Sequence, residues 1–194
     1  MKEKPYHHGN LRNDLIEAGI QLINEEGLKS FSLRKVAARC QVSHTAPYSH
    51  FKDVDALISA MGDYVTGQFM HKLLSAVQGK EETPGVLAFL GQAYIDFFVE
   101  HPQYFQFLFY YSGLTINLDQ AQPEDYPPFA LFRSTAFCMF RRWGLPEEAH
   151  PSHLIASWSM VHGIAALSAT SGIKYSGSWT DIFIETLTKK EKPS

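Results

Sequence analysis

Apolar residues recur at helical spacing along this chain and nowhere alternate in the strand pattern, so the fold it can adopt is built of α-helices. Leu11, Leu15, Ala18, Leu22 and Ile23 form one stripe, and Leu33, Val36, Ala37 and Cys40 form a second. A third begins at Asp53 with Leu57, Met61, Val65, Phe69 and Leu73 and runs to about Gly79. The punctuation agrees with the spacing. The first helix is expected from about Gly9 to Glu26 and stops at Gly27, a residue suited to a left-handed C-terminal position; the second starts after Ser32, a good N-cap. The third pattern, about 25 residues at 1.5 Å each, predicts a rod of about 38 Å, long enough to connect two domains.

Beyond the GKEETP break at Gly79 to Pro84 the chain becomes rich in aromatics and stays helical in pattern, with no internal repeat. Helices are expected over Pro84 to Glu100, Pro102 to Tyr111, Pro127 to Trp143, Pro146 to Ser171 and Trp179 to Lys189, several opened by a proline near the first turn. Ser112 to Tyr126 is the longest stretch without a pattern. With 45% hydrophobic and 19% charged residues, the 194-residue chain has the composition of an ordinary soluble protein. The opening MKEKPYHHGN has no apolar run and is not a signal peptide. Leu154 to Ala169 is short for a membrane span and is broken by Ser157, Ser159, His162 and Gly163. A cytoplasmic protein without membrane association is expected. Cys40 and Cys138 have neither disulfide nor zinc spacing and read as buried thiols.

Charge is uneven along the chain. Residues 1 to 52 hold eight Lys and Arg against five Asp and Glu, a balance of +3, and the remaining 142 residues carry 9 − 15 = −6. A basic head of this size fits chance as well as it fits a polyanion-facing domain.

The stretch VSHTAPYSHFK, Val42 to Lys52, decides between them. It lies between two helical patterns and carries Pro47, which lacks an amide donor. Placed after a second helix and a turn at Gln41 and Val42, with Ser43 as a new N-cap, it has helix-turn-helix spacing. Pro47 then falls at the end of the first turn, where at most one backbone bond is lost, and the helix need last only about two turns. Val42, Ala46 and Phe51 are expected to face helices one and two. His44, Thr45, Pro47, Tyr48 and His50 are expected to project outward, although Tyr48 also fits a partly buried aromatic.

The run from Tyr6 to Met61 resembles the N-terminal domain of TetR-type transcriptional regulators. The likeness joins Gly9-Asn10, the Gly27 helix stop, the Ser32-Leu33-Arg34-x-Val36-Ala37 core and the Tyr48-x-His50-Phe51-Lys52 close. Farther on, FFVEHPQYFQFLF and WSMVHGIAAL resemble the branch of that family whose C-terminal domain carries a Trp, His-Gly signature, here Trp158, His162 and Gly163. The resemblance implies an all-α fold of about nine helices. Three form a DNA-binding head in residues 1–52, a fourth is the connector in 53–79, and the rest form a ligand-binding and dimerising body in 80–194.

The same resemblance implies roles. His44, Thr45, Pro47 and Tyr48 would face the major groove of an operator, Ser32, Tyr48 and Lys52 would hold phosphates, and Ser43 and His50 complete the DNA-binding set. Hydroxyls and lysine fix register on phosphates, and thymine methyls accept apolar contacts. Two positions depart from the pattern: Gln41 stands where glycine is common, which strains the turn if its φ is positive, and Ser49 stands where a basic residue is common.

In the body, Phe97, Phe105, Phe109, Phe132 and Phe140 are the candidates for an effector pocket, which would suit an apolar or aromatic small molecule. Most of the aromatics at helical spacing must be core. Trp158, His162, Gly163 and Ala166 are the candidates for a homodimer face, where small residues let another helix approach; two-fold symmetry would pair two heads with two half-sites of a palindrome. No catalytic set is present and no cofactor is implied. His150 and His153 near Glu147 are read as loop side chains and not as a metal site. The expected function is a ligand-responsive transcriptional regulator acting as a repressor; the rival reading is a helical ligand-binding or enzymatic protein whose head no longer binds DNA.

Overall fold

A computed structural model of the chain describes residues 10–118 and 126–188. Eight α-helices and three short 3₁₀ turns make up its regular structure, with no strand among the described residues. The helices are α1 (Leu11–Glu26), α2 (Leu33–Arg39), α3 (Val54–Val77), α4 (Val86–Glu100), α5 (Pro102–Tyr110), α6 (Pro127–Arg142), α7 (His150–Ala169) and α8 (Trp179–Thr188). The expected boundaries hold to within a few residues. The expected ends at Gly9 and Lys189, and the middle of the Ser112 to Tyr126 stretch, lie outside the described residues.

The count is eight because the expected recognition helix is a 3₁₀ turn, Ala46–Ser49. Proline at its second position has no N–H to give. The Ser43 side chain caps no amide; its Oγ lies 3.1 Å from Thr45 Oγ1. What remains is short-range bonding: Ala46 N to Ser43 O, Tyr48 N to Thr45 O and His50 N to Pro47 O, at 2.9–3.1 Å.

Two compact units form. One gathers the described residues of Met1–Val65 with Gln106–Leu114, the other those of Thr66–Phe105 with Thr115–Ser194. Helices α3 and α5 contribute residues to both. In the first unit, Leu15, Ile16, Ile20 and Ile23 of α1 are buried with Leu33, Val36, Phe51, Leu57 and Met61; burying each such side chain stabilises the fold by about 1.5–3 kcal/mol. Gly19 permits a close approach here, since a Cβ on it would lie 2.9 Å from Met61 Sδ. Tyr64 donates to Glu17 Oε1 at 2.7 Å and ties α3 to α1.

The second unit is an aromatic bundle in which α4 packs chiefly on α7 and α8, with α6 against α4 and α7. Phe69 sits between Tyr94, Phe97 and Phe98, its ring centroid 4.9–5.2 Å from theirs. Gly91 lets α8 come close: a Cβ there would overlap the Phe183 ring and stand 3.1 Å from Val161 Cγ1. No helix among the described residues is long and apolar enough to cross a membrane.

Candidate functional site

The head is organised by the end of α2. Val42 N donates to Ala37 O at 3.0 Å and Gln41 N to Ala38 O at 3.1 Å. This paired pattern closes a helix when the intervening residue is left-handed. Gln41 is that residue, with φ +57°, and it is the only non-glycine with positive φ among the described residues. The same pattern closes α6, where Leu145 N donates to Phe140 O and Gly144 N to Arg141 O, with Gly144 at φ +70°. The turn therefore forms with glutamine where its counterpart in the same chain uses glycine.

This cap delivers the 3₁₀ turn to the surface. Ser43, His44, Thr45, Tyr48, Ser49, His50 and Lys52 are exposed, Tyr48 at 59%. Exposure that large in an aromatic rules out the buried reading of Tyr48. Phe51 is buried and Val42 and Ala46 are half-buried, as their inward placement requires. Pro47 is the correction. It is buried, not outward. A 3₁₀ turn has about three residues per turn, so Tyr48 is rotated about a third of a turn away from Pro47, which belongs to the head's core; His50 follows the turn as its C-cap.

Ser32 is half-buried, and its Oγ accepts from Lys35 N at 3.3 Å, so the side chain caps α2. Arg39 forks onto both carboxylate oxygens of Glu25 at 2.7 and 2.8 Å, which holds the Glu25 carboxyl below its ordinary value, and Lys35 reaches Glu26 at 2.6 Å. These exposed pairs add little stability, but they neutralise two head cations. Arg34 and Lys52 form no ion pair among the described residues, and Arg12 lies 5.4 Å over the Phe51 ring. Arg34 escapes a sequence reading because the core spacing draws attention to Leu33 and Val36 on either side.

In the second unit the signature residues face inward. Tyr94 of α4 is buried, and its hydroxyl lies 2.8 Å from His162 Nδ1. The Trp158 indole N–H donates to the same hydroxyl. An indole can only donate, so the arrangement that leaves no polar hydrogen stranded has Tyr94 donating to His162 Nδ1, with the imidazole neutral and its proton on Nε2. Burial pushes the Tyr94 phenol well up and the His162 imidazole down, both toward the neutral forms this chain needs. The rings close the cluster: Trp158 stands 5.3 Å from Phe129, and His162 stands 5.1 Å from Phe105. Trp158 and His162, expected on a dimer face, thus clamp α7 to α4 of their own protomer. Gly163 and Ala166 remain half-buried on α7, and a Cβ at Gly163 would meet nothing within 4 Å.

The five pocket candidates do not converge. Phe97 and Phe105 are packed core near Phe98, while Phe140 lies with His150 and Trp143. Phe132 is half-buried beside Phe129, and Phe109 falls in the other compact unit. Of the five, only Phe97 lines the described groove between α3 and α4, a space of 530 Å³ rimmed by His71, Lys72, Glu100 and His101. His150 donates from Nε2 to Leu145 O and His153 from Nδ1 to Ala149 O, at 3.0 and 2.9 Å. Both therefore satisfy backbone carbonyls. The Cys40 thiol, expected buried, is half-buried, and desolvation raises it, which makes it a poor nucleophile.

Comparison with known proteins matches this two-unit plan. Residues 15–61 match the family described as bacterial regulatory proteins, tetR family, and residues 87–189 match the tetracyclin repressor-like C-terminal domain. The tetracycline repressor protein class G of Vibrio anguillarum is 40% identical over 50 residues, which is 26% of this chain and 24% of that protein; the likeness spans about a quarter of each. A Rhodococcus protein of unknown function superposes with TM-score 0.71 at 23% identity over 96% of both chains. The fatty acid degradation regulator FadR of Bacillus halodurans does so with TM-score 0.68 at 14% identity, over 96% of this chain and 95% of its own. An Acinetobacter baumannii TetR variant in complex with minocycline gives TM-score 0.55 at 20% identity, over 91% and 92%. These neighbours share the fold, and with a C-terminal match that alone spans more than half the residues, the chain belongs to the TetR family of bacterial regulatory proteins.

Proposed function

We propose that this regulator binds double-stranded DNA through the 3₁₀ turn of its head, as a homodimer on a palindromic operator, and that an apolar or aromatic small molecule held by the second unit releases it. The observation that carries the reading is the exposed row of His44, Thr45, Tyr48 and His50 next to Lys52, presented by a strained cap on α2. Thr45, Tyr48 and His44 meet the major groove; Lys52 and Arg34 meet phosphates. Pro47 has no part in the contact, and Ser32 acts by capping α2. Trp158, His162 and Gly163 support a reading of the second unit as the branch of the family with that signature. Its dimer face is the outer side of α7, where Ile155, Ser159 and Leu167 are exposed around Gly163 and Ala166. A glycine inside a helix costs about 1 kcal/mol relative to alanine, and nothing in the protomer requires one at 163. Room for a second helix does.

Ligand and operator are coupled through two states of the dimer, so each lowers affinity for the other by the same factor. Minocycline in the Acinetobacter baumannii neighbour is a precedent for a small molecule on this fold. In this reading the protein acts in the cytoplasm by binding. A gel shift on the DNA upstream of its own coding sequence, at two salt concentrations, tests the reading. Affinity should fall steeply with salt. Lys52→Ala should weaken all sequences alike, and Thr45→Ala should change the preferred site in a binding-site selection. Absence of a shift at either salt, or equal loss with unchanged preference in both variants, overturns the assignment.

A further inference from the structure

Arg133 stands on the inward stripe of α6. It follows Phe129 by four residues and precedes Ala136 by three and Phe140 by seven, and those three are 3%, 0% and 3% exposed. Residues at these intervals share one helix face. Arg133 as a whole is half-buried, but one guanidinium nitrogen, Nη1, is shut from water there with no hydrogen-bond acceptor among the described residues. Buried N–H donors are almost always paired, and leaving one without an acceptor costs the desolvation of that group.

The helices around α6 explain the deficit. Neither α6 nor α7 contains a single Asp or Glu, and residues 66–77 of α3 contain none. The two carboxylates of α4 are engaged: Asp96 accepts from Thr180 Oγ1 at 2.5 Å, and Glu100 pairs with Lys72 at 3.1 Å. Asp181 and Glu185 of α8 are exposed. No uncommitted carboxylate stands on α4 or α7, the helices that pack on α6, while aromatic surface is plentiful, with Phe129 on the same stripe carrying Trp158.

We propose that the small molecule taken by the second unit is an aromatic carboxylate whose carboxylate accepts from Arg133. This rests on the ligand-binding reading above and specifies its chemistry. A guanidinium and a carboxylate form a forked, charge-assisted pair that is strong where water is excluded, and the flat ring of the acid lies among the aromatics near Phe129. The free protein carries the unpaired donor as a standing cost, which the acid removes on binding.

The test uses 2-naphthoate and its neutral isostere 2-naphthamide, titrated calorimetrically into the full chain and into Arg133→Met and Arg133→Lys. Naphthoate should bind the wild type about tenfold more tightly than the amide, or better, the difference expected of a hydrogen bond to a charged group. Arg133→Met should bring the two within about twofold by weakening the acid alone, and Arg133→Lys should keep part of the preference. Arg133→Met should also melt no lower than wild type, since no internal partner is lost. Equal affinity for acid and amide in the wild type would overturn the anion site and leave the ligand-binding unit standing. Binding of neither at millimolar concentration would overturn both. A variant that melts lower or fails to fold would reveal an internal acceptor on Nη1 and overturn the proposal.

Discussion

Replacing Gln41 by glycine should stabilise the head, although it removes a side chain from the element that positions the recognition turn. Gln41 is exposed and holds φ +57°, so its side chain contributes no packing and its backbone is strained. A non-glycine residue in the left-handed region costs about 1–2 kcal/mol. Glycine adds back about 0.4–1 kcal/mol through the greater freedom of the unfolded chain. The difference favours Gln41→Gly by about 0.5–1 kcal/mol. All three tryptophans, Trp143, Trp158 and Trp179, belong to the second unit, so their fluorescence serves as an internal control and the head needs its own probe. Amide exchange at Cys40 and Val42, both bonded back into α2, provides it: protection should rise about two- to fivefold. Gln41→Ala should leave it unchanged, because alanine suffers the same φ. Gly144→Gln, at the matching cap of α6 with φ +70°, should lose a similar amount, read this time by the tryptophans. Should Gln41→Ala gain as much as Gln41→Gly, or should neither gain, the strain attributed to φ is absent and the side chain is what matters.

Gly91→Ala should destabilise the second unit by about 1–3 kcal/mol in urea melts, the cost of overpacking, and pairing it with Phe183→Leu should recover most of the loss; a double-mutant cycle without coupling would refute the close approach. Leu167→Glu, exposed on α7, should shift sedimentation toward monomer at micromolar concentration and leave the melting temperature of the monomer intact. The His162 imidazole sits below its ordinary value of 6.5 because of burial, so the unfolded chain binds more protons than the folded one as pH falls below about 6.5. Stability should therefore fall as pH drops through that point toward the folded value, and His162→Gln should flatten the curve measured between pH 7 and 5.

The helices were legible because each carries its own stop and start: Gly27 ends α1, Ser32 caps α2, and Pro127 opens α6. The outward placement of Pro47 fails for a different reason: it extends an α-helical phase through a segment too short to hold one. The missing proline amide and the unused Ser43 side chain leave mostly 3₁₀ bonds, with one α-type bond from Phe51 N to Pro47 O at 2.9 Å, and three residues per turn instead of 3.6 rotate the face of each successive position. A sequence with one proline in six residues carries that phase only ambiguously.

Trp158 and His162 turn toward α4 for a reason that lies in another part of the chain. Alpha-7 is apolar or small on every side, with Ala156, Ser159, Gly163 and Ala166 on one face and Leu154, Val161 and Ala165 on another. Spacing alone then cannot tell the face that meets α4 from the outer face. What breaks the tie is Tyr94, 68 residues away, whose buried hydroxyl needs both a donor and an acceptor. Trp158 and His162, one turn apart, supply one of each. The Trp and His satisfy a core phenol and set the rotation of α7, and Gly163 beside them is left half-buried, with nothing within 4 Å of where its Cβ would stand. Rotation of α7 and the shape of its outer face are one constraint, so Tyr94→Phe should disturb association as well as folding: it strands the Trp158 N–H and the His162 Nδ1 together and frees α7 to turn.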